Sequence, residues 1–335
     1  MSQVLVTGAS GYVGTQLIAA LLRGAAANGG QQAVRAQVRS AAKEDGLRSA
    51  LRRAPDLEDS ADNAGLEVVT GDLMSDDGWK TAMASVDEVY HVASPIPAAQ
   101  PDDPDELIVP AREGTRRVLR AARDAGVRRV VLTSSFAVIG YTPKPGGEFT
   151  EDDWTDPDMP GLPPYPRSKT IAERAAWDFM ASEGGGLELT VVNPTFILGP
   201  PLTDETGSSM HLIKAMFSGE MSVAPRHRFG IADVRDVADL HIRAMAAPAA
   251  AGKRFICACD HPTISYLELA GMLRQRFGSL AARVPAEEAP GAELPRLVIR
   301  NNRAKDTLGW RPRPLETTIA DTVESLRARG ALGES

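Results

Sequence analysis

The chain has 335 residues, 43% hydrophobic and 24% charged, with 37 Lys and Arg against 44 Asp and Glu for a net charge of −7. That balance belongs to an ordinary globular protein and excludes disorder as the dominant state; at roughly 150 residues per domain it predicts one large or two modest domains. The acidic surplus leaves no general attraction for polyanions, so nucleic acid is excluded as the main partner.

The chain opens with Met1-Ser2-Gln3 and goes straight into a strand-like run, without a basic segment followed by a long apolar one. The longest apolar stretches, such as residues 17–22 and 244–247, fall far short of the ~20 residues of a membrane span. Cys257 and Cys259 are too few for a disulfide framework, and five scattered histidines offer no zinc spacing. A cytoplasmic, membrane-free and metal-free protein is expected.

Residues 4–7 are a short β-branched run, followed by Gly8-Ala9-Ser10-Gly11-Tyr12-Val13-Gly14 and then by apolar residues at Val13, Leu17, Ile18, Leu21 and Leu22. That is a strand, a tight turn and a helix. Residues 24–32, rich in Ala and Gly, read as a surface connection. Further strand-like runs follow at 34–38, 66–70, 88–92, 129–133 and 187–192, with helical stretches between most of them. The alternation predicts an α/β fold, a Rossmann-type doubly wound parallel sheet covered on both faces. Prolines at 160–166 and the Gly199-Pro200-Pro201 turn break the pattern. Ser265-Tyr266-Leu267-Glu268 fits a capping box for a helix through Phe277, and residues 315–326 read as a last helix. The predicted division is a cofactor-binding domain, 1–193 with a returning segment about 230–262, and a smaller C-terminal substrate-binding lobe, about 194–229 and 263–335.

Gly8, Gly11 and Gly14 sit at the first strand–helix junction, where missing side chains let main-chain amides approach a pyrophosphate at the positive helix end. At the end of the second strand, where NAD sites carry an acid for the ribose 2′-hydroxyl, this chain has Arg39, with Lys43 shortly after. Both suit a 2′-phosphate, which makes NADP(H) the expected cofactor; the alternative is a solvated surface arginine. Asp72, in Gly71-Asp72-Leu73, is either an acceptor for the adenine amino group or a turn residue. His91 reads as a packed core histidine.

Tyr165 and Lys169 are four residues apart, on one face of any helix that starts there. At ~4 Å and an effective dielectric of ~20, an ammonium would favour the tyrosinate by at most roughly 4 kcal/mol, bringing its proton exchange toward neutrality. Thr133-Ser134-Ser135 at the end of the fifth strand offers a hydroxyl for a substrate carbonyl. Phe136, Tyr141, Pro97 and residues 203–228 are candidates for the substrate side, whereas Met210, Met216, Phe217 and Met221 read as helix packing. Cys257 and Cys259 read as buried thiols on one strand face.

Taken together the motifs resemble the extended short-chain dehydrogenases/reductases, in the branch of dihydroflavonol reductases, cinnamoyl-CoA reductases and microbial carbonyl reductases. The likeness rests on the opening Val-Thr-Gly-Ala-Ser-Gly-Tyr-Val-Gly, Val38-Arg39, Gly71-Asp72-Leu73, Tyr90-His91-Val92-Ala93-Ser94-Pro95, Thr133-Ser134-Ser135, Glu151-Asp152-Asp153-Trp154, Tyr165 with Lys169, Asn193-Pro194 through Gly199-Pro200, and Asp233 through Ala238. It implies a catalytic triad of Ser135, Tyr165 and Lys169, with Ser135 chosen over Ser134 by family position, and Tyr165 protonating the carbonyl oxygen as NADPH delivers hydride. It implies NADP(H) contacts from Gly8, Ser10, Gly11, Tyr12, Val13, Gly14, Arg39, Lys43, Asp72, Leu73, Ala93, Ser94, Pro95 and Ser134. Tyr165 and Lys169 also touch the cofactor, and Pro194, Thr195, Ile197 and Leu198 line the nicotinamide. Asp236 is expected to tie the C-terminal lobe to the sheet, while Tyr12 and Arg235 depart from the residues commoner in relatives. The expected activity is NADPH-dependent reduction of a small ketone or aldehyde by a monomer or homodimer. The alternatives are an NAD-dependent nucleotide-sugar epimerase or dehydratase on the same scaffold, and a non-catalytic NADP sensor.

Overall fold

The structure, a computed structural model, describes residues 2–27, 32–55, 57, 65–95, 103–204, 207–292 and 294–332. Seven strands form the main sheet: β1 (Ser2–Thr7), β2 (Gln32–Val38), β3 (Leu66–Thr70), β4 (Glu88–His91), β5 (Arg129–Thr133), β6 (Glu188–Pro194) and β7 (Arg254–Cys257). They lie in the order 3-2-1-4-5-6-7 and every pair is parallel. The order reverses between β1 and β4, so the connections leaving their C-terminal ends run to opposite faces and open a crevice there.

Alternation along each strand feeds two cores. Val4 and Val6 of β1 and Val34 and Ala36 of β2 point to the face covered by α1 (Tyr12–Ala27), α2 (Glu44–Arg52) and α7 (Val234–Ala246), meeting Leu17, Leu47, Leu51 and Leu240. Leu5, Val89 and Val130 point the other way, toward α3 (Trp79–Ala82), α4 (Asp105–Asp124) and α5 (Pro164–Ser182), where Val118, Leu119 and Phe179 are buried. Truncating any such fully buried leucine to alanine would cost about 2–5 kcal/mol.

The C-terminal part packs around a separate cluster from α6 (Ser208–Ser218), α8 (Tyr266–Phe277) and α10 (Leu315–Ala328), while α9 (Asn302–Leu308) buries Ala304 and Leu308 in the sheet core. Met210, Met216 and Phe217 belong to it, as helix packing predicts. Ser265 and Glu268 make the reciprocal capping box that starts α8. Short pairs stitch this part to the sheet: Phe196–Leu198 beside Ile231–Asp233, Arg228–Phe229 beside Ile264–Ser265, and Glu148–Phe149 beside Val298–Ile299. Asp236 is a tie between the two parts, accepting from the Arg313 amide at 2.7 Å and from the Arg313 guanidinium, while its own carbonyl takes the Trp310 indole at 3.1 Å. Arg235 bridges Asp233 and Asp321 of α10 at 2.7 Å each.

Two local expectations differ from the structure. Residues 24–27 continue α1 because their alanines favour helix more than Gly24 opposes it; residues 28–31 lie outside the described part. β7 stops at Cys257, so Cys257 joins the sheet core and Cys259 the C-terminal cluster, not one shared face. Both are buried, and burial pushes the Cys257 thiol well up and the Cys259 thiol up to about 11.

Candidate active site

The glycine turn is shaped by close approach. Gly8 has φ +68°, and a Cβ there would stand 2.7 Å from Ala93 Cα; a Cβ on Gly14 would stand 2.2 Å from the Gly8 carbonyl oxygen. Only hydrogen fits at either place. The first helical bond of α1 runs from the Thr15 amide to the Gly11 carbonyl at 2.9 Å, so the amides of Tyr12, Val13 and Gly14 reach the helix start without main-chain acceptors, as an anion requires. Ser10 lies in the turn just before them.

Side chains lock this turn to its neighbours. Thr7 Oγ1 accepts from the Val92 and Ala93 amides, 3.1 Å each, and so donates its proton to His91 Nδ1 at 2.8 Å. His91 therefore carries its proton on Nε2, and burial, with the Lys169 charge adding to it, depresses its pKa to about 3. Gln37 accepts from the Gly8 amide at 3.3 Å and donates to the Gly71 carbonyl at 2.5 Å, holding the ends of β1, β2 and β3 together. The buried Tyr12 phenol donates to the Gly199 carbonyl and Gln16 to the Pro200 carbonyl, 2.8 Å each, and the Gly199 amide donates to Thr322 of α10 at 2.7 Å.

Beyond β2, Arg39 is exposed and has no partner among the described residues; Lys43 ends the exposed turn Ala41–Lys43. Asp72 accepts from the Met74 amide at 2.9 Å, the mark of a turn residue, through one carboxylate oxygen. Leu73, Ala93, Ser94, Pro95 and Ser134 line a cavity together with Lys169.

Tyr165 and Lys169 stand near the start of α5. Lys169 Nζ donates to Ser94 Oγ at 3.2 Å, across the cavity from its own helix. Burial lowers its pKa to about 8, opposed by the Glu173 carboxylate one turn on. The Tyr165 residue is 37% exposed, yet the protein around its phenol still disfavours the anion and holds the pKa above its ordinary value. The nearby Ser135 hydroxyl opposes that rise by favouring the phenolate. The expected pull of the ammonium toward tyrosinate is therefore not realised in this geometry, because Lys169 is turned to Ser94. Protonated phenol is the form a proton donor needs. Ser135 also accepts from the Ala137 amide at 3.1 Å, which fixes its rotamer, whereas Ser134 is buried and faces the cavity behind.

The remaining candidates separate. Pro194 closes β6 and Ile197 is half-buried, but Thr195 spends its hydroxyl on the Cys257 carbonyl at 3.3 Å. Leu198 is fully buried in the C-terminal cluster and has no surface to present to a cofactor. Phe136 is half-buried and packs edge-on to Phe149, centroids 6.1 Å apart, against the cluster of Ile139 and Ile256. Pro97 lies outside the described residues. Tyr141 is half-buried, and burial and the nearby Tyr165 and Tyr266 phenols raise its pKa. Sequence reasoning missed Tyr266, which the helix cap concealed, and the buried network of Glu173, Asn193 and Arg254, which gave no pattern.

The chain matches the NAD dependent epimerase/dehydratase family over residues 4–258. It is 30% identical to cinnamoyl-CoA reductase 1 of Arabidopsis thaliana over 333 residues, covering 98% of this chain and 90% of that one. Its identity to tetraketide alpha-pyrone reductase 1 of the same plant is 31% over 341 residues, covering 98% and 97%. Among solved structures, yeast methylglyoxal/isovaleraldehyde reductase Gre2 in complex with NADPH superposes with TM-score 0.79 at 26% identity, over 98% of this chain and 99% of that one. With a seven-stranded doubly wound sheet, a glycine turn at the first junction and relatives that align from end to end, the chain belongs to the NAD dependent epimerase/dehydratase family, as an extended short-chain dehydrogenase/reductase of the branch that holds the dihydroflavonol, cinnamoyl-CoA and Gre2-type reductases.

Proposed function

We propose that the protein is an NADPH-dependent carbonyl reductase, converting a ketone or aldehyde to an alcohol. The observation that carries this reading is the convergence at the C-terminal crevice of the sheet of Tyr165, whose phenol is influenced by the Ser135 hydroxyl, with Lys169, whose Nζ reaches Ser94 at 3.2 Å. The names of the curated relatives, which are reductases, and the NADPH bound in the yeast neighbour support it.

In this reading the amides at the start of α1 hold the pyrophosphate, Arg39 and Lys43 the 2′-phosphate, and Asp72 the adenine edge. Lys169, turned to Ser94 in the free protein, takes the ribose hydroxyls. The reduced nicotinamide, when bound, supplies the hydride to the carbonyl carbon. Ser135 donates a hydrogen bond to the carbonyl oxygen, and Tyr165 gives that oxygen its proton, so the C=O bond becomes CH–OH. Residues 194–229 and 263–335 form the lobe that shapes the substrate side, and residues 1–193 with 230–262 the cofactor side.

Purified protein given NADPH and a panel of ketones and aldehydes, followed by nicotinamide absorbance and chiral analysis of products, tests the reading. Turnover with NADPH in preference to NADH is expected. Tightly bound NAD at isolation would indicate the epimerase alternative, and NADPH binding with no turnover of any carbonyl would indicate a sensor.

A further inference from the structure

Beside the reacting groups a cavity carries Lys169 and Glu173 on its wall, one turn apart on α5. Glu173 has no part in the chemistry above. Its side chain is wholly buried, yet it is held as a charged group: Arg254 Nε donates to Oε1 at 2.6 Å, Asn193 Nδ2 to Oε2 at 2.7 Å and Trp177 Nε1 to Oε1 at 3.3 Å. Arg254 is fixed in turn, donating to the Glu151 and Asp153 carbonyls at 2.8 and 2.9 Å and stacking on Trp154 at 3.9 Å.

Burying two charges costs several kcal/mol per ion, and apolar residues of similar volume often serve stability as well or better. Stability alone therefore leaves this pair unaccounted for. Its location supplies the reason. Asn193 Nδ2, which donates to Glu173, also donates to the Ser135 carbonyl at 3.2 Å, so a single amide joins the carboxylate to the main chain of a reacting residue.

We propose that Glu173 is a positioning residue of the reaction: through Asn193 it fixes the main chain that carries Ser135, and across one turn of α5 its carboxylate steadies the Lys169 ammonium. The inference rests on the reductase reading of Ser135, Tyr165 and Lys169. The groups that face Lys169 are few. His91 from β4 is buried and neutral, Tyr165 from α5 is protonated, Ser94 accepts its hydrogen bond, and Arg254 from β7 stands behind Glu173. Glu173 is the anion that opposes the burial of the ammonium.

Removing that anion makes Lys169 lose its proton at lower pH, and with it the activity that depends on a charged lysine. Glu173→Gln is expected to lower kcat roughly tenfold or more through misplacement of Ser135. The alkaline fall of kcat expected from the Lys169 ammonium, whose pKa burial lowers to about 8, should move to lower pH. A readout free of turnover is the ¹³Cε resonance of Lys169 in the cofactor-free protein, assigned with Lys169→Met: it should titrate at lower pH in Glu173→Gln than in the wild type. Should the unpaired Arg254 prevent folding, the double variant Glu173→Met with Arg254→Met removes both charges without leaving either alone, and the same two changes are expected. A folded variant of either kind that titrates Lys169 where the wild type does, or turns over at the wild-type kcat, overturns the proposal. Absence of any NADPH-dependent turnover in the wild type would strike the reductase reading instead, with the lysine titration still deciding this one.

Discussion

At the end of β1 the crevice is built from main chain, within seven residues of sequence; in the C-terminal part, rings drawn from distant segments pack on one another instead. On the first side, Gly8 and Gly14 leave no room for a Cβ, and the helix dipole and the amides at its start are the groups proposed to bind. On the second side, Phe196, Phe229 and Tyr266 form a chain of rings with 4.9 Å between successive centroids, and Tyr141 stands near both Tyr266 and Tyr165. The first arrangement fails abruptly when one atom is added, because main chain cannot yield. The second should change by degrees, since a ring can be replaced and its neighbours can turn. On the proposed function, the cofactor would be written in steric constraints and selectivity in adjustable contacts.

Tyr165 lies between the two sides and should show the largest effect. Tyr165→Phe keeps the ring and removes the donated proton, so kcat should fall about 10²- to 10⁴-fold. NADPH affinity, measured by fluorescence titration, should stay within a few-fold, because the glycine turn is untouched. Wild-type turnover in that variant would remove the phenol from the mechanism.

Gly14→Ala tests the steric side within one helix. Its Cβ would meet the Gly8 oxygen at 2.2 Å, so the turn must shift, costing about 1–3 kcal/mol and most of the NADPH affinity. Gly24→Ala is the internal control: it lies in the same α1 with nothing within 4 Å, and should raise stability by up to about 1 kcal/mol. Thermal melts with and without NADPH separate the two, and equal melting points would mean that the close approach is not a constraint.

Arg39→Asp places an anion where the 2′-phosphate is proposed to sit. Losing a charge-assisted hydrogen bond of about 1.5–3 kcal/mol should raise the KM for NADPH ten- to a hundredfold while that for NADH barely moves. Equal changes for both cofactors would make Arg39 a solvated surface residue.

How much of this was legible in sequence follows the same division. The doubly wound parallel sheet followed from strands alternating with helices, the glycine turn and the Tyr165–Lys169 pair from spacing within short windows, and Ser135 from the family resemblance. Asp236 was read as a tie between sheet and lobe and is one, since a buried carboxylate at a helix start needs a partner. What escaped was non-local. The contact of the Phe136 ring with Phe149, made by the 3-10 turn that Phe136 begins, could not be read from the chain. Leu198 follows the Pro194 turn but alternates inward on its short strand. Glu173, Asn193 and Arg254 meet across three elements separated by up to 81 residues, and no periodicity in the chain announces such a meeting.

The smallest effect belongs to the ring wall. Tyr266 opens α8 and joins the wall through Phe229, while the helix is held by its cap, Ser265 and Glu268, and by Leu269 and Leu273 in the core. Removing the ring should therefore spare the fold. An aromatic pair contributes about 0.5–1.5 kcal/mol beyond its buried area, so Tyr266→Leu should raise the KM for a carbonyl substrate by up to about tenfold. The same change should leave kcat within a few-fold and NADPH affinity unaltered, because neither Tyr165 nor the glycine turn loses a partner. A panel of carbonyl substrates measured on this variant should show KM ratios reordered from one substrate to the next. A uniform loss across the panel, or a fall in kcat with KM intact, would place Tyr266 with the rigid side of the crevice and erase the contrast between the two.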